Sequence, residues 1–277
     1  MNPQVRSGDK TDKAYWDATW QADSLPPSFD PHGPALSNHV NRAYDRFLRT
    51  WLGPQGNGRE LVELGCARSI WLPYFAKAMN YSVTGVDYSE LGCAQARRML
   101  ERAGVSGKVH CADFFEPPPS LIGAFDVAVS FGVAEHFEDT ASCIAAFARF
   151  LKPSGMLLTV VPNMTGLPGL VQRTMNREVF EKHVPLDASG LREAHAKAGL
   201  SVEAGGYLVS TNFGAINLGA PGRGATWLAK RVALAGLRRT SLLGWYLEEH
   251  LSKLPTVRLT AAYVYCVARL RGAGAQG

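Results

Sequence analysis

Two residues have the chemistry and the spacing to hold a nucleoside: the glycine at position 65 and the aspartate at position 87. The apolar run 61–64 predicts a short buried strand ending at the Gly65 turn, and the run 81–86 predicts a second strand ending at Asp87. A carboxylate at that place can accept two charge-assisted hydrogen bonds from a ribose diol. The spacing therefore predicts a strand–helix–strand unit of a parallel sheet, with a ligand site beyond the carboxyl ends of its strands.

The glycine turn indicates which kind of nucleoside fits. A pyrophosphate favours the pattern Gly-x-Gly-x-x-Gly, whereas residues 65–69 read Gly-Cys-Ala-Arg-Ser and contain one glycine. A pyrophosphate site is therefore poorly supported, and a nucleoside without phosphates fits better. This argues against a NAD-linked oxidoreductase, an alternative from a different class of enzyme.

Four short motifs occur in an order and spacing typical of one family. They read Glu-Leu-Gly-Cys at 63–66, Val-Asp-Tyr-Ser at 86–89, Cys-Ala-Asp-Phe at 111–114 and Phe-Asp-Val-Ala-Val-Ser at 125–130. Over roughly residues 55–210 the chain resembles the class I S-adenosylmethionine-dependent methyltransferases, of the type that acts on small molecules. It departs from them at Ala67 and Ser69, where the family commonly has glycine, and we expect a slightly crowded turn there.

The resemblance implies S-adenosylmethionine as the cofactor and a role for each motif. The implied cofactor-binding residues are Glu63, Gly65, Cys66 and Ala67 at the methionine end, Asp87 and Tyr88 at the ribose, Asp113 and Phe114 at the adenine, and Phe131 and Gly132 beside the reacting methyl group. Asp113 and Phe114 also fit a second interpretation, in which they are an acidic turn residue and a core phenylalanine.

The segment 11–21 predicts a helix with Trp16 and Trp20 on one face. In one interpretation the two indoles pack on the sheet. In the other the helix closes over the cofactor, because methyltransferases of this kind often begin with a Tyr-Trp-x-x-x-Trp-like segment. The second interpretation adds Tyr15 and Trp20 to the cofactor site.

The residues after the fourth predicted strand, 131–137, should lie where cofactor and acceptor meet. They lack the Asn/Asp-Pro-Pro-aromatic turn typical of enzymes that methylate nucleobase amines, and their Glu-His pair resembles small-molecule methyltransferases. His136 is a candidate catalytic base because the ordinary pKa of histidine lies near neutrality. Its alternative role is to order the turn or to contact the cofactor. His183 is a second candidate base.

Composition limits the class of protein. The five cysteines, at positions 66, 93, 111, 143 and 266, show no Cys-x-x-Cys spacing and predict reduced thiols in a cytoplasmic protein without a metal site. We expect no signal peptide and no membrane span, because apolar runs of the required length are absent. The net charge of +5 suits nucleic acid or an anionic membrane, although such a charge more often reflects only an arginine-rich composition. Two alternatives remain open on this basis, an RNA methyltransferase and a cofactor-binding protein without catalysis.

The predicted architecture is a doubly wound, seven-stranded α/β sheet of the Rossmann-like methyltransferase kind. We divide the chain into an N-terminal helical cap (1–54), a cofactor-binding core (55–210), a helical insertion (211–256) and the last strand with a tail (257–277). Residues 1–10 are predicted to be disordered. The long connection 162–182 is expected to contribute to the acceptor pocket.

The insertion is the main departure from the minimal fold. Its apolar residues alternate with basic ones from 223 to 251, which fits a lid over the acceptor site, a homodimer contact, or an amphipathic patch resting on a membrane. Its apolar character favours a hydrophobic acceptor, aromatic or lipid-like, as in secondary or quinone-type metabolism. Neither the acceptor nor the methylated atom is determined by these patterns.

Overall fold

The computed structural model describes residues 8–21, 24–219 and 221–272. Most of the segment predicted to be disordered lies outside the described residues. The sheet has seven strands in the order β3-β2-β1-β4-β5-β7-β6, and β7 is antiparallel to both of its neighbours. The strands are β1 (Glu60–Leu64), β2 (Ser82–Asp87), β3 (Lys108–Cys111), β4 (Phe125–Phe131), β5 (Leu151–Pro162), β6 (Leu200–Leu208) and β7 (Tyr263–Leu270). The predicted doubly wound, seven-stranded fold is confirmed.

Helices connect the strands and cover both faces of the sheet. The α-helices are α1 (Lys13–Thr19), α2 (His39–Leu52), α3 (Trp71–Met79), α4 (Glu90–Ala103), α5 (Thr140–Ala148), α6 (Leu167–Met175), α7 (Arg177–Glu181), α8 (Ala188–Lys197) and α9 (Ala225–His250). Short 3-10 helices occupy Leu36–Asn38, Pro119–Leu121, Ala134–His136 and Phe213–Ala215. The long connection 162–182 forms α6 and α7.

The position of the site follows from the strand order. Strand β1 pairs in parallel with β2 on one side and with β4 on the other. The chain therefore moves outward in opposite directions from β1 and β4, and a crevice opens beyond their carboxyl ends. Gly65 follows β1, Asp87 ends β2 and Gly132 follows β4. All three accordingly meet at one edge of the sheet.

Two apolar cores hold the strands that carry these residues. On one face α2 and α3 pack Leu48 and Phe75 against the sheet, and on the other face α5 and α8 pack Phe147 and Leu191. All four side chains are completely buried. Each such burial stabilises the fold by about 1.5–3 kcal/mol, so the strand ends present the site on a rigid support.

The helix α9 fills the predicted insertion and is anchored on its inner side. Leu234 packs with Phe213 in a small separate apolar cluster. The ring of His39 at the start of α2 stacks on Trp245, with centroids 5.6 Å apart, and its Nε2 lies 2.8 Å from a carboxylate oxygen of Glu248. Among the described residues, no helix combines the length and the apolar character needed to cross a membrane.

Candidate active site

The Gly65 turn begins the site and requires a glycine. Its φ is +79°, in the left-handed region, and a Cβ added there would lie 2.3 Å from Cγ2 of Val133. The backbone N–H groups of Gly65 and Cys66 both donate to the carbonyl of Val86, at 2.9 and 3.3 Å. These contacts hold the first turn against the end of β2 and leave an open surface above Gly65.

Asp87 ties the two turns together. One carboxylate oxygen accepts the Ala67 N–H at 3.0 Å, and the other accepts the Ser89 N–H at 2.8 Å. The side chain is buried, and this desolvation raises the pKa of Asp87 to about 6. Because each oxygen can accept a second hydrogen bond, the anchored carboxylate still has acceptor capacity toward the cleft.

A cleft opens above these two turns. Its wall is mainly apolar and rich in aromatic rings, and it consists of Thr11, Trp16, Trp20, Gly65, Ala67, Asp87, Tyr88, Phe114, Phe131, Gly132, Val133, His136 and Phe137. Eight of the predicted site residues therefore meet in one place: Trp20, Gly65, Ala67, Asp87, Tyr88, Phe114, Phe131 and Gly132, together with the candidate base His136.

The helix α1 covers the cleft. Trp16 stacks on Trp20 with ring centroids 5.4 Å apart, and its edge faces the ring of His136 at 5.1 Å. Ser89 Oγ donates to Asp17 at 2.6 Å and connects the helix to the second turn. Tyr15 is not part of the cleft wall, and the Lys182 ammonium lies 4.5 Å from its ring centroid. The contact of Tyr15 with the cofactor stays a prediction, and Trp16 is a residue of the same helix that lines the cleft.

Three further predicted residues are not part of the cleft wall. Glu63 is buried and accepts the hydroxyl hydrogen of Ser69, and its burial raises the pKa of Glu63 to about 8. Cys66 is completely buried in the core. Asp113 is exposed and accepts the Phe115 N–H at 2.8 Å. Their contact with the cofactor stays a prediction, and Phe114 is the member of its motif that lines the cleft.

The ring of His136 lies on the cleft wall in a defined tautomer. Its Nδ1 lies 2.7 Å from the carbonyl oxygen of Lys182. A carbonyl only accepts hydrogen bonds, so Nδ1 carries the hydrogen and Nε2 keeps a lone pair. Burial lowers the pKa of His136 to about 3. The ring is therefore neutral at physiological pH and is a weak proton acceptor, which disfavours its predicted role as a general base.

His183, the second candidate base, is not part of the cleft wall. Its ring centroid lies 4.7 Å from that of His136, and its Nδ1 lies 2.7 Å from the carbonyl of Val179. Burial lowers the pKa of His183 as well. The two histidines therefore form one buried pair beside the cleft.

Some wall residues were missed by the sequence interpretation. Thr11 reaches the cleft because the chain at Asp9 forms an antiparallel bridge with Phe137, a pairing that no local pattern indicates. Val133 and Phe137 belong to the segment 131–137, whose position after β4 was the available signal. Trp16 was placed on the correct helix face but not in the site.

Comparison with known proteins points to the same site. A family model described as a methyltransferase domain matches residues 62–159, which contain both turns, β4 and Glu135-His136. The chain is 32% identical over 100 residues to a ubiquinone biosynthesis O-methyltransferase of Aromatoleum aromaticum, covering 36% of this chain and 42% of that protein. It is 31% identical over 147 residues to a probable S-adenosylmethionine-dependent methyltransferase of Mycolicibacterium smegmatis, covering 53% of each. The matches thus span about two fifths to one half of the length of these relatives.

A solved structure resembles almost the whole chain. The geranyl diphosphate C-methyltransferase of Streptomyces coelicolor, in complex with Mg²⁺, geranyl diphosphate and S-adenosyl-L-homocysteine, superposes with a TM-score of 0.60. The alignment covers 93% of this chain and 97% of that protein at 15% sequence identity. At this level of identity the likeness concerns the fold.

Proposed function

Because the chain belongs to the class I S-adenosylmethionine-dependent methyltransferases, we propose that it transfers a methyl group from S-adenosylmethionine to a small hydrophobic acceptor. The observation that carries this proposal is the convergence of the Gly65 turn and the anchored Asp87 carboxylate at the floor of one aromatic cleft. In this proposal residues 1–54 cap a core of residues 55–210 and the final strand, and residues 211–256 serve acceptor delivery.

The residues of the cleft fit this cofactor. Gly65 is part of the cleft wall, so the methionine portion can approach its backbone, and a Cβ at this position would displace Val133, another wall residue. Asp87 retains acceptor capacity for two ribose hydroxyls. Phe114, Trp16 and Trp20 offer aromatic faces for a purine ring. Among the described residues of the wall, Asp87 is the one charged side chain, and His136 is neutral. The wall therefore offers no cation to a phosphate, and the cleft suits a nucleoside without phosphates.

The cofactor supplies an electrophilic methyl group on a sulfonium. The residues of this chain align the acceptor with that methyl group and exclude water from the cleft. Phe131, Gly132 and His136 border the part of the cleft beyond β4, where the acceptor would enter. Trp16 packs edge-on against His136 and covers this part of the cleft. Holding two reactants in line in a water-free cleft can supply much of the rate enhancement of such a displacement.

A hydrophobic acceptor agrees with what surrounds the reacting position. Phe131 stacks on Trp71 with centroids 4.4 Å apart, and Tyr44 lies 5.0 Å from the same indole, so an aromatic layer continues behind the cleft. A similar curated protein is a ubiquinone biosynthesis O-methyltransferase, which supports this proposal. The chain also lacks the amine-binding turn that a nucleobase acceptor requires.

The first test is calorimetric titration of the purified protein with S-adenosylmethionine and, separately, with NADH. We expect micromolar binding of the first and none of the second. Transfer of a radiolabelled methyl group is then followed into the organic-soluble fraction and the RNA of a cell extract. Label in the organic fraction supports a small hydrophobic acceptor, whereas label in RNA contradicts that part of the proposal. No binding of S-adenosylmethionine would contradict the proposal as a whole.

We further propose that α9 rests on an anionic lipid surface and thereby gives a lipid-like acceptor access to the enzyme. Leu228, Val232, Leu243 and Tyr246 fall on one outward face of the helix and are exposed by 57, 65, 59 and 49%. Exposed arginines accompany this stripe at positions 231 and 239. An apolar stripe with basic side chains beside it complements an interface of acyl chains and anionic headgroups.

Vesicle flotation tests this surface. We expect the protein to float with vesicles containing phosphatidylglycerol and to stay in solution with phosphatidylcholine alone. Replacing Leu228 and Val232 by glutamine should weaken the partition at least about tenfold, because two large apolar side chains no longer enter the lipid. Ile122→Gln, at a position exposed by 45% outside α9, is the matched control. Equal partition of the double variant and the native protein, or concentration-dependent dimerisation lost only in the double variant, would contradict the membrane interpretation.

A further inference from the structure

Three side chains with metal-ligating atoms converge beside the cleft. They are Glu135 and His136, from the 3-10 helix Ala134–His136, and His183, which follows α7. One ligand atom from each lies within 4.8 Å of the others. Glu135 Oε1 is 3.8 Å from His136 Nε2. The group joins two parts of the chain that are 47 residues apart, and the Val184 N–H donates to the Glu135 carbonyl at 2.6 Å to hold them together.

Both imidazoles are oriented as metal ligands are. His136 donates its Nδ1–H to the carbonyl of Lys182, and His183 donates its Nδ1–H to the carbonyl of Val179, each at 2.7 Å. Metal-binding histidines typically make such a bond with the nitrogen that does not bind the metal, which sets the tautomer and directs the other nitrogen to the ion. Each ring therefore offers a free Nε2 lone pair.

The carboxylate provides a second, independent observation. Glu135 is 1% exposed, and its Oε2 has no hydrogen-bond partner among the described residues. A buried carboxylate oxygen without a partner costs roughly 1–3 kcal/mol or more, so a site that leaves one generally has a ligand for it. Two imidazoles beside the same carboxylate make a cation the ligand that fits.

We propose that Glu135, His136 and His183 bind one divalent transition-metal ion. Two imidazole nitrogens and one carboxylate oxygen suit Zn²⁺, Co²⁺ or Fe²⁺ and are a poor set for Mg²⁺, which prefers oxygen ligands and retains water. The expectation of no metal site was based on the cysteines, and this site contains none. The charge of Lys182 acts on His136 and that of Lys10 acts on His183, so both lysines reduce the affinity for a cation.

Three protein ligands leave coordination positions open. His136 is part of the cleft wall, so these positions lie next to the cleft. Resting on the proposed methyl transfer, we infer that an oxygen atom of the acceptor, such as a hydroxyl, would bind there. A bound cation would lower the pKa of an attached hydroxyl, so the acceptor would not need a histidine as general base.

Cobalt titration tests the site directly. Tag-free protein is stripped of metal and titrated with Co²⁺ while visible absorption is recorded, and Zn²⁺ is then added to displace it. We expect one equivalent of Co²⁺ with a spectrum of nitrogen and oxygen ligands. Glu135→Gln and His183→Gln should each weaken binding at least about tenfold, since loss of even an outer-shell partner costs 10- to 100-fold. His250→Gln is the matched control, because that exposed ring makes the same Nδ1 bond to a carbonyl four residues earlier, at 2.9 Å.

The outcomes separate the metal site from the methyl transfer. Calorimetry with S-adenosylmethionine is performed on the same variants, and the less buried His183→Gln variant decides the matter if Glu135→Gln fails to fold. Loss of Co²⁺ binding with retained cofactor affinity supports the site whatever the acceptor is. Absence of a Co²⁺ spectrum at about 1 mM metal, or equal Co²⁺ binding in the native protein and both variants, overturns it even if methyl transfer is intact.

Discussion

Gly65→Ala is expected to weaken S-adenosylmethionine binding about 10- to 100-fold and to lower the free energy of unfolding by at least about 2 kcal/mol. Two effects add at this position. The backbone has a φ of +79°, which side chains with a Cβ adopt at a cost, and the added Cβ would lie 2.3 Å from Val133. Because Val133 and Gly65 both belong to the cleft wall, the displacement falls on the cofactor side of the turn.

Gly58→Ala is the matched control for this prediction. Its φ of +75° imposes a similar backbone cost, but no atom outside its chain neighbours lies within 4 Å of the added Cβ. Gly58 precedes β1 at the opposite end of that strand from Gly65. We therefore expect a loss of stability without a loss of cofactor affinity, measured by thermal unfolding and calorimetry. If the two variants lost affinity equally, the close approach above Gly65 would not be the reason that a glycine is required.

Asp87→Asn is expected to weaken S-adenosylmethionine binding by about 1.5–3 kcal/mol, or roughly 10- to 150-fold. Asparagine keeps the size of the side chain and one accepting oxygen, but it removes the charge that strengthens hydrogen bonds from ribose hydroxyls. The pKa of Asp87 is raised to about 6 by burial. Native affinity should therefore fall as the pH decreases through 6, because the protonated carboxyl is the weaker acceptor, and the variant should not show this dependence.

Asp126→Asn serves as the control for Asp87→Asn. Like Asp87, Asp126 accepts a backbone N–H, here from Glu60 at 2.9 Å, but it lies at the amino end of β4 on the opposite edge of the sheet. Calorimetry over a range of pH should show native affinity and a native pH profile for this variant. If Asp87→Asn bound S-adenosylmethionine with native affinity at pH 7, the proposed contact of Asp87 with the ribose would be contradicted.

The low pKa of His136 argues against this residue as the general base of the reaction. A base beside the cleft was a reasonable hypothesis from an ordinary histidine, whose pKa lies near neutrality. Burial against Trp16 and next to His183 makes the cationic form of His136 expensive, so the ring functions as a neutral group. Acceptor activation then depends on the acceptor itself or on the cation that we propose at Glu135.

Most of the fold could be predicted from local patterns. Continuous apolar runs predict buried parallel strands, and glycine and proline mark their ends. For this reason the strands that end at Gly65 and Asp87 were located to within one or two residues. The helices α2 and α4 likewise have apolar residues at a spacing that reflects the face that they bury.

The sequence alone determined the two strands at the site, the glycine turn after β1 and the carboxylate at the end of β2, because each depends on residue type and short-range spacing. Only the tertiary structure decided which side chains reach the cleft. Trp16 rather than Tyr15 lines it, and Cys66 and Glu63 turn inward, because the direction of a side chain depends on how elements pack. The meeting of Glu135 with His183, like the low pKa of His136, arises from burial between distant segments, and no local pattern contains that information.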